Sequence, residues 1–153
     1  MKRSWIVGLA TLGPVGLLKG SGTVATLLTL PLVYSLTMIS PVWASGIISG
    51  ICFSALLIVN RAIVAFPGQH DPSAIVIDEV AGCLVTFVGI AWRWQLVLIG
   101  FITFRLLDIF KPLGIKQIEY CIAPLGIVLD DIFAGFLSNI FVRIICIYFF
   151  STL

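Results

Sequence analysis

The acidic side chains of this 153-residue chain are few, and most of them fall into three short blocks. In chain order the blocks contain Asp78 with Glu79, then Asp108, and then Asp130 with Asp131. Arg105 and Lys111 lie three residues before and after Asp108. Carboxylate oxygens are ligands that Mg²⁺ prefers, whereas arginine and lysine bind phosphate oxygens. If the blocks meet in the folded chain, they are suited to hold a divalent cation next to a phosphate group.

Four-residue spacings place these groups on common helix faces. Two series step by four residues: Asp78, Gly82, Thr86 and Asp131, Gly135, Asn139, Arg143. Because an α-helix turns once in about 3.6 residues, each series forms a polar or small stripe along its helix. Arg105, Asp108 and Lys111 share a face of a third helix. We therefore expect three helices to turn acidic stripes inward, with Asn139 and Arg143 serving helix packing.

A second kind of phosphate contact is predicted near the N-terminus. A glycine-rich turn there offers an ammonium, two hydroxyls and backbone amides, from Lys19, Ser21, Gly22 and Thr23. Such a turn can bind phosphate, although the full P-loop spacing is absent. His70, the only histidine, could assist proton transfer or could simply be solvated.

The composition predicts that lipid covers most of the chain. Hydrophobic residues make up 60% of it and charged residues 10%, whereas soluble domains carry roughly 25% charged residues. A helix needs roughly 20 apolar residues to cross a bilayer. Apolar spans occupy residues 24–39, 42–66, 72–92, 95–110 and 130–150, and Asp71 is expected to cap the third. The prediction is all-α: one domain, residues 1–153, forming a polytopic helical membrane bundle with about four transmembrane helices and possible interfacial helices.

The basic residues predict how the chain is oriented. If the N-terminus is cytoplasmic, one side of the membrane is flanked by Lys2, Arg3, Lys19, Arg105, Lys111 and Lys116. Arg93 then lies on the other side, in keeping with the positive-inside bias. Segments 67–79 and 105–131, which contain all the acidic residues, emerge together on the cytoplasmic side. The small net charge of +2 and the scattered basic residues argue against nucleic acid as a partner.

The three acidic blocks resemble those of the phosphatidylglycerophosphatase A family. The matching stretches are Asp71-x-x-x-Ile75-Val76-x-Asp78-Glu79-x-x-Gly82, Phe104-Arg105-x-x-Asp108-x-x-Lys111-Pro112 and Gly126-Ile127-Val128-Leu129-Asp130-Asp131-x-x-Ala134-Gly135. Gly22-Thr23 agrees more loosely, because the family pattern Gly-Thr-x-Gly-Ser continues here as Val24-Ala25-Thr26. The glycine pair usual before the third block is replaced around Ala123-Pro124.

The resemblance implies a Mg²⁺-dependent, multi-pass enzyme of the bacterial inner membrane with its active site on the cytoplasmic side. Such an enzyme hydrolyses the membrane lipid phosphatidylglycerophosphate to phosphatidylglycerol and inorganic phosphate, in phospholipid and cardiolipin biosynthesis. The expected metal ligands are Asp78, Glu79, Asp108, Asp130 and Asp131, with a helix cap as the alternative role of Asp130. The expected catalytic residues are Asp78, Glu79, Asp108, Asp131, Arg105 and Lys111. The expected substrate contacts are Lys19, Ser21, Gly22, Thr23, His70, Arg105 and Lys111.

Two other functions fit the clustered acids less well. A CDP-alcohol-type lipid phosphotransferase also uses aspartates and magnesium, but its Asp-Gly-x-x-Ala-Arg stretch is absent from the sequence. A cation transporter also carries intramembrane carboxylates. Here, however, the acids are expected at one membrane face only, which disfavours a path through the bilayer. For the hydrolase, the sequence leaves both water and an aspartate open as the nucleophile.

Overall fold

The computed structural model describes residues 5–69, 71–112, 114, 115, 117 and 125–150. Within these residues the regular elements are helices, and no β-strand occurs. They are α1 Trp5–Ala10, α2 Ser21–Thr37, α3 Pro41–Ala62, α4 Ile77–Thr86, α5 Trp94–Phe110 and α6 Gly126–Phe150, with 3₁₀ turns at Val15–Leu17 and Ile63–Ala65. The prediction of an all-α fold is confirmed.

Two stretches of the described chain are long and apolar enough to cross a bilayer. They are Pro41–Ala65, which comprises α3 and the turn after it, and Gly126–Phe149 of α6. Helix α2 is apolar but has only 17 residues, as has α5, and α4 has ten. The predicted number of about four transmembrane helices is therefore not confirmed, whereas a membrane-embedded bundle agrees with the two long helices.

Helix α4 lies at the centre of the bundle and packs against α2, α3, α5 and α6. Most of its side chains are buried. Leu84, together with Phe87 just after the helix, packs with Val33 of α2 and Phe104 of α5 in the larger apolar cluster. Ala81 joins a second cluster between α3 and α6. Because apolar side chains surround most of α4, its carboxylates are tolerated only where a polar cleft meets its first turn.

Two predicted helix starts are wrong. Helix α4 begins at Ile77, so Asp71 does not cap it. The amide of Ile75 instead donates to the carbonyl of Pro72, and the amide of Val76 donates to the carbonyl of Ala10. Residues 71–76 therefore form a turn whose backbone ties α4 to α1. Helix α6 begins at Gly126, several residues before the predicted start of the last span at residue 130.

Helices α4 and α6 run parallel and pack unusually closely. A Cβ atom built on Gly135 would collide with the carbonyl oxygen of Gly82. A Cβ on Gly82 would lie 2.6 Å from the carbonyl oxygen of Asp131. Because both positions are glycine, the two backbones can approach to a distance that side chains would prevent. The polar and small stripes predicted for these helices thus face each other, and the acidic ends of both stripes lie together.

Candidate active site

A polar cleft with a volume of about 570 Å³ opens at one end of the bundle. Helices α2, α4 and α6 begin there and α5 ends there, and we call this the site end. The polar and glycine residues that line the cleft are Gly16, Lys19, Gly20, Ser21, Gly22, Asp71, Ser73, Asp78, Glu79, Arg105, Asp108, Lys111, Asp130 and Asp131. The cleft therefore brings together side chains from all three acidic blocks and from the glycine-rich turn. Thr23 does not line it, and His70 lies outside the described residues.

Three carboxylates form the floor of this cleft. One oxygen from each of Asp78, Glu79 and Asp131 lies within 4.8 Å of the other two. We call these three residues the acid cluster. Asp78 and Asp131 are each only 4% exposed. The first turn of α4 supplies two of the carboxylates, and the close contact between α4 and α6 brings the third beside them.

Burial and the closeness of the three carboxyl groups make ionisation of the acid cluster unfavourable. Burial raises the pKa of Asp78 well above its ordinary value, and the adjacent Glu79 carboxyl raises it further. Burial also raises the pKa of Glu79 to about 7; Asp108 adds to this effect, while hydrogen bonding to Asp78 and the charge of Arg105 oppose it. The buried Oε2 atom of Glu79 has no hydrogen-bond partner among the described residues. Converging buried oxygens with an unsatisfied acceptor fit a hard divalent cation such as Mg²⁺.

Arg105 brings a positive charge to the edge of the acid cluster. Its guanidinium pairs with the carboxylate of Asp108, one turn further along α5. Its Nε atom is buried without a hydrogen-bond partner in the described part of the chain, so a donor remains for an anion in the cleft. The guanidinium also lies close to α2, because a Cβ on Gly22 would be 3.0 Å from its Nη2 atom.

Gly22 allows the start of α2 to reach the floor of the cleft. A Cβ at this position would collide with the carboxylate of Glu79. Gly20, the residue just before α2, has a φ of 71° and provides no side-chain cap for the first turn of the helix. The hydroxyl of Ser21 donates to the carbonyl of Ser73 at 2.7 Å and thereby joins α2 to the turn before α4. The uncapped amides and positive end of a long helix therefore border the cleft, an arrangement that favours anions.

Lys111 reaches the cleft through an uncommon backbone conformation. It ends α5 with a φ of 45°, in the left-handed region, and Pro112 follows it. For a non-glycine residue this conformation costs about 1 kcal/mol. Its ammonium pairs with the carboxylate of Asp130 and lies 3.6 Å from an oxygen of Asp71. The strained backbone thus accompanies a side chain held by two carboxylates at the cleft.

The five predicted metal ligands fall into two groups. Asp78, Glu79 and Asp131 form the acid cluster, whereas Asp108 and Asp130 pair with Arg105 and Lys111. Asp130 also accepts a hydrogen bond from the amide of Asp131 at 2.9 Å, at a position inside α6. The alternative in which Asp130 caps the helix is therefore wrong, because α6 has already begun at Gly126. The roles of all five in binding a cation stay predictions.

Sequence reasoning missed several features of the cleft. Ser73 lines it and holds Ser21, but an isolated serine in a turn carries no signal of such a role. The contact between Gly22 and Glu79 joins residues 57 positions apart, so no local pattern could predict it. The ion pair between Lys111 and Asp71 was missed because Asp71 was expected to cap a helix.

Ionisable residues gathered at one end of an apolar helical bundle indicate a functional site, and carboxylates beside basic groups are suited to metal-assisted chemistry on phosphate. The fold and the site therefore indicate a membrane enzyme that acts on phosphate groups. Comparison with known proteins makes the class specific. The family model described as phosphatidylglycerophosphatase A matches residues 8–146. The chain belongs to the phosphatidylglycerophosphatase A family, whose members are lipid phosphate monoester hydrolases. The resemblance predicted from the three acidic blocks is confirmed.

Individual proteins similar to this chain include two that are named phosphatidylglycerophosphatase A. Phosphatidylglycerophosphatase A of Escherichia coli is 33% identical over 120 residues, covering 76% of this chain and 69% of that protein. The Haemophilus influenzae protein of the same name is 32% identical over 98 residues, covering 63% of this chain and 60% of that protein. A Bacteroides thetaiotaomicron protein, provisionally named a phosphatidylinositol-3-phosphatase, is 34% identical over 79 residues, or 49% of each chain. No solved structure matches the chain.

Proposed function

We propose that this protein is a Mg²⁺-dependent phosphatidylglycerophosphatase of the bacterial inner membrane. In this proposal it removes the terminal phosphate of phosphatidylglycerophosphate and so supplies phosphatidylglycerol for phospholipid and cardiolipin synthesis. The observation that carries the proposal is the acid cluster, three buried carboxylates with oxygens within 4.8 Å of one another, beside Arg105 and Lys111. Membership of the phosphatidylglycerophosphatase A family supports the choice of substrate.

The residues that would hold Mg²⁺ are those of the acid cluster, with Asp108 and Asp130 beside them. The unsatisfied Oε2 atom of buried Glu79 supports this assignment, because such an acceptor is costly unless a cation or a proton occupies it. A bound Mg²⁺ would polarise the phosphate monoester and offset its negative charge. Binding would also remove the repulsion among the three carboxylates.

The basic side chains would bind and orient the phosphate group. Arg105 has a buried Nε donor available, and Asp108 holds its guanidinium in place. The ammonium of Lys111, held in place by Asp130, would pair with another phosphoryl oxygen and offset its negative charge. The start of α2, with Lys19 at the cleft, would add positive potential from a third direction. A water molecule that loses its proton to a carboxylate of the cluster would attack the terminal phosphorus, and phosphatidylglycerol would leave with the bridging oxygen, which takes up a proton.

The proposed site faces the cytoplasm. Lys19, Arg105 and Lys111 belong to the site end, and Arg61 lies in the last turn of α3, which returns to that end. Positively charged residues near membrane-crossing segments favour the cytoplasmic side. We therefore propose a multi-pass arrangement in which the long apolar helices cross the inner membrane and the cleft lies at its cytoplasmic surface, where the headgroups of inner-leaflet lipids can enter.

Phosphate release from the pure lipid tests the proposal. Protein purified in detergent should release inorganic phosphate from phosphatidylglycerophosphate when Mg²⁺ is present and should stop when a chelator removes it. Asp78→Asn should lower the rate by at least about 100-fold, because it weakens the cation site without changing side-chain volume. Ser54→Ala should keep the full rate, since the hydroxyl of Ser54 is exposed and bonds only to the carbonyl of Gly50.

Each alternative function makes a different prediction in the same assay. A CDP-alcohol-type phosphotransferase would form product only when a CDP-linked lipid and an alcohol are supplied. A cation transporter would release no phosphate under any of these conditions. Release of phosphate at the same rate with and without the chelator would contradict the metal requirement, and full activity of Asp78→Asn would contradict the assignment of the site.

A further inference from the structure

The polar and small stripes of α4 and α6 face each other along their whole length. Asp78 lies by Asp131 in the acid cluster, Gly82 lies against Gly135, and the carbonyl of Thr86 accepts a hydrogen bond from Asn139. Each of these pairs is separated by 53 positions in the sequence. The constant separation means that the two parallel helices stay in one axial register. The register at the far end therefore determines which residues meet at the site end.

Hydrogen bonds at the far end of α4 hold this register. The side-chain Nδ2 atom of Asn139 donates to the carbonyl oxygens of Thr86, at 2.9 Å, and Val88, at 3.0 Å. The Nη2 atom of Arg143 donates to the same oxygen of Val88 at 2.7 Å. The Nε atom of Arg143 donates to Oδ1 of Asn139 at 2.7 Å, so the two side chains act together. We call Asn139 and Arg143 the latch.

The latch binds one carbonyl at the end of α4, that of Thr86, and one just beyond it, that of Val88. The last four carbonyls of an α-helix lack intrahelical partners. Helix α4 ends at Thr86 inside the bundle. Thr86 is fully buried, so water does not reach its carbonyl oxygen. An unsatisfied carbonyl in such an apolar setting is costly. The latch can bond to both carbonyls only when α4 and α6 have one particular axial register.

We infer that Asn139 and Arg143 are positioning residues for the cation site at the other end of α4. The inference rests on the proposed function, because it concerns the geometry of the acid cluster. Asn139 and Arg143 lie eight and twelve residues after Asp131, or about 12 and 18 Å along α6 at the usual helical rise. Sliding α4 by a single residue would move its carboxylates by about 1.5 Å relative to Asp131. The latch thus acts on cation binding without touching the cation or the substrate.

A purely structural role predicts something different from a positioning role. A residue that only stabilises the bundle would lower the unfolding temperature when replaced, but the folded fraction would bind Mg²⁺ normally. A positioning residue would weaken Mg²⁺ binding in protein that remains folded. Val142 offers a matched control, because it lies beside Arg143, is fully buried, packs with Ile90 and Leu96, and has no side-chain group that could hydrogen-bond a carbonyl. Ser138→Ala is a second control, since its buried hydroxyl has no hydrogen-bond partner among the described residues.

The test compares Mg²⁺ affinity with thermal stability in purified protein. Asn139→Ala and Arg143→Ala should each weaken Mg²⁺ binding, measured by calorimetry well below the unfolding temperature, by about tenfold or more. Val142→Ala should lower the unfolding temperature and leave the Mg²⁺ affinity unchanged, and Ser138→Ala should change neither. The variant with both Asn139 and Arg143 replaced should bind Mg²⁺ only slightly more weakly than the weaker-binding single variant, because the two side chains act as one unit.

Several results would overturn the inference. If the latch variants fold and bind Mg²⁺ like the wild type, Asn139 and Arg143 have only a structural role. The same conclusion follows if Val142→Ala weakens Mg²⁺ binding as much as the latch variants do. If Arg143→Ala does not fold, Arg143→Lys provides the test, because an ammonium keeps the charge but lacks the fixed planar pair of donors with which the guanidinium bonds Val88 and Asn139. It should bind Mg²⁺ with intermediate affinity, and wild-type affinity would contradict the inference. Failure of the proposed function looks different, because the wild type itself would then bind no Mg²⁺ or release no phosphate.

Discussion

Arg105 and Lys111 approach the cleft from the same helix, and each is held by its own carboxylate. Arg105 projects from a regular turn of α5 and pairs with Asp108 on the next turn. Lys111 stands just beyond the last turn and reaches Asp130 on α6. The first pair stays within one helix, whereas the second joins two helices. The two cations are therefore expected to contribute differently to stability, even though both are proposed to bind the phosphate group.

Lys111→Ala should lower both stability and phosphate release. Asp130 is only 1% exposed, and removing the ammonium paired with its carboxylate should cost about 3 kcal/mol of unfolding free energy. Phosphate release should fall because a contact to the phosphoryl oxygens is lost. Adding Asp130→Asn should restore most of the stability, measured by unfolding in detergent, without restoring release. A single variant that unfolds like the wild type would show that this pair contributes nothing to stability.

Gly22→Ala should lower phosphate release with little effect on stability. The added methyl group would collide with the carboxylate of Glu79, which can swing aside at small cost but then leaves the acid cluster. We expect at least a tenfold loss of release, on the order found when metal ligands are disturbed indirectly. Gly50→Ala is the matched control, because a Cβ there would meet no atom within 4 Å. Full activity of Gly22→Ala would mean that Glu79 does not need its present position.

At the scale of helices, the sequence predicted which faces meet better than where helices begin and end. The four-residue stripes correctly indicated the faces of α4 and α6, because a helical stripe depends on spacing alone. The predicted span 72–92 was too long at both ends, since α4 covers only Ile77–Thr86. Its limits depend on the backbone bond from Val76 to Ala10 and on the latch, which are contacts between distant segments. The acid cluster was foreseeable from the stripes, but the approach of Gly22 to Glu79 was not.

Gly135→Ala should separate α4 from α6 and destabilise the protein. The added methyl group would collide with a backbone carbonyl oxygen, that of Gly82, which cannot swing aside as a side chain can. We expect a loss of about 1 to 3 kcal/mol in unfolding free energy, together with weaker Mg²⁺-dependent phosphate release. Gly46→Ala on α3 is the control, since a Cβ there would meet no atom within 4 Å. Unchanged stability of Gly135→Ala would contradict the close packing of the two helices.

For the whole molecule, charge is divided unevenly between the two ends of the bundle. The acid cluster, Arg105 and Lys111 gather at the site end. At the opposite end Tyr34 and Trp92 form an edge-to-face pair with ring centroids 5.1 Å apart, next to Arg93 in sequence. Tyrosine and tryptophan are enriched at membrane–water interfaces. The molecule therefore has a charged end suited to headgroup chemistry and an aromatic end suited to the opposite interface.

Labelling of single cysteines should show that the site end faces the cytoplasm. After the four native cysteines are replaced, one new cysteine can be placed at each end, at exposed Ser40 between α2 and α3 or at exposed Gln69 between α3 and α4. A maleimide that cannot cross the inner membrane should label Ser40→Cys in spheroplasts and leave Gln69→Cys unlabelled, because the basic residues hold the site end inside. In inside-out vesicles the pattern should reverse. Labelling of Gln69→Cys in spheroplasts would place the cleft on the outer surface, where phosphatidylglycerophosphate of the inner leaflet could not reach it.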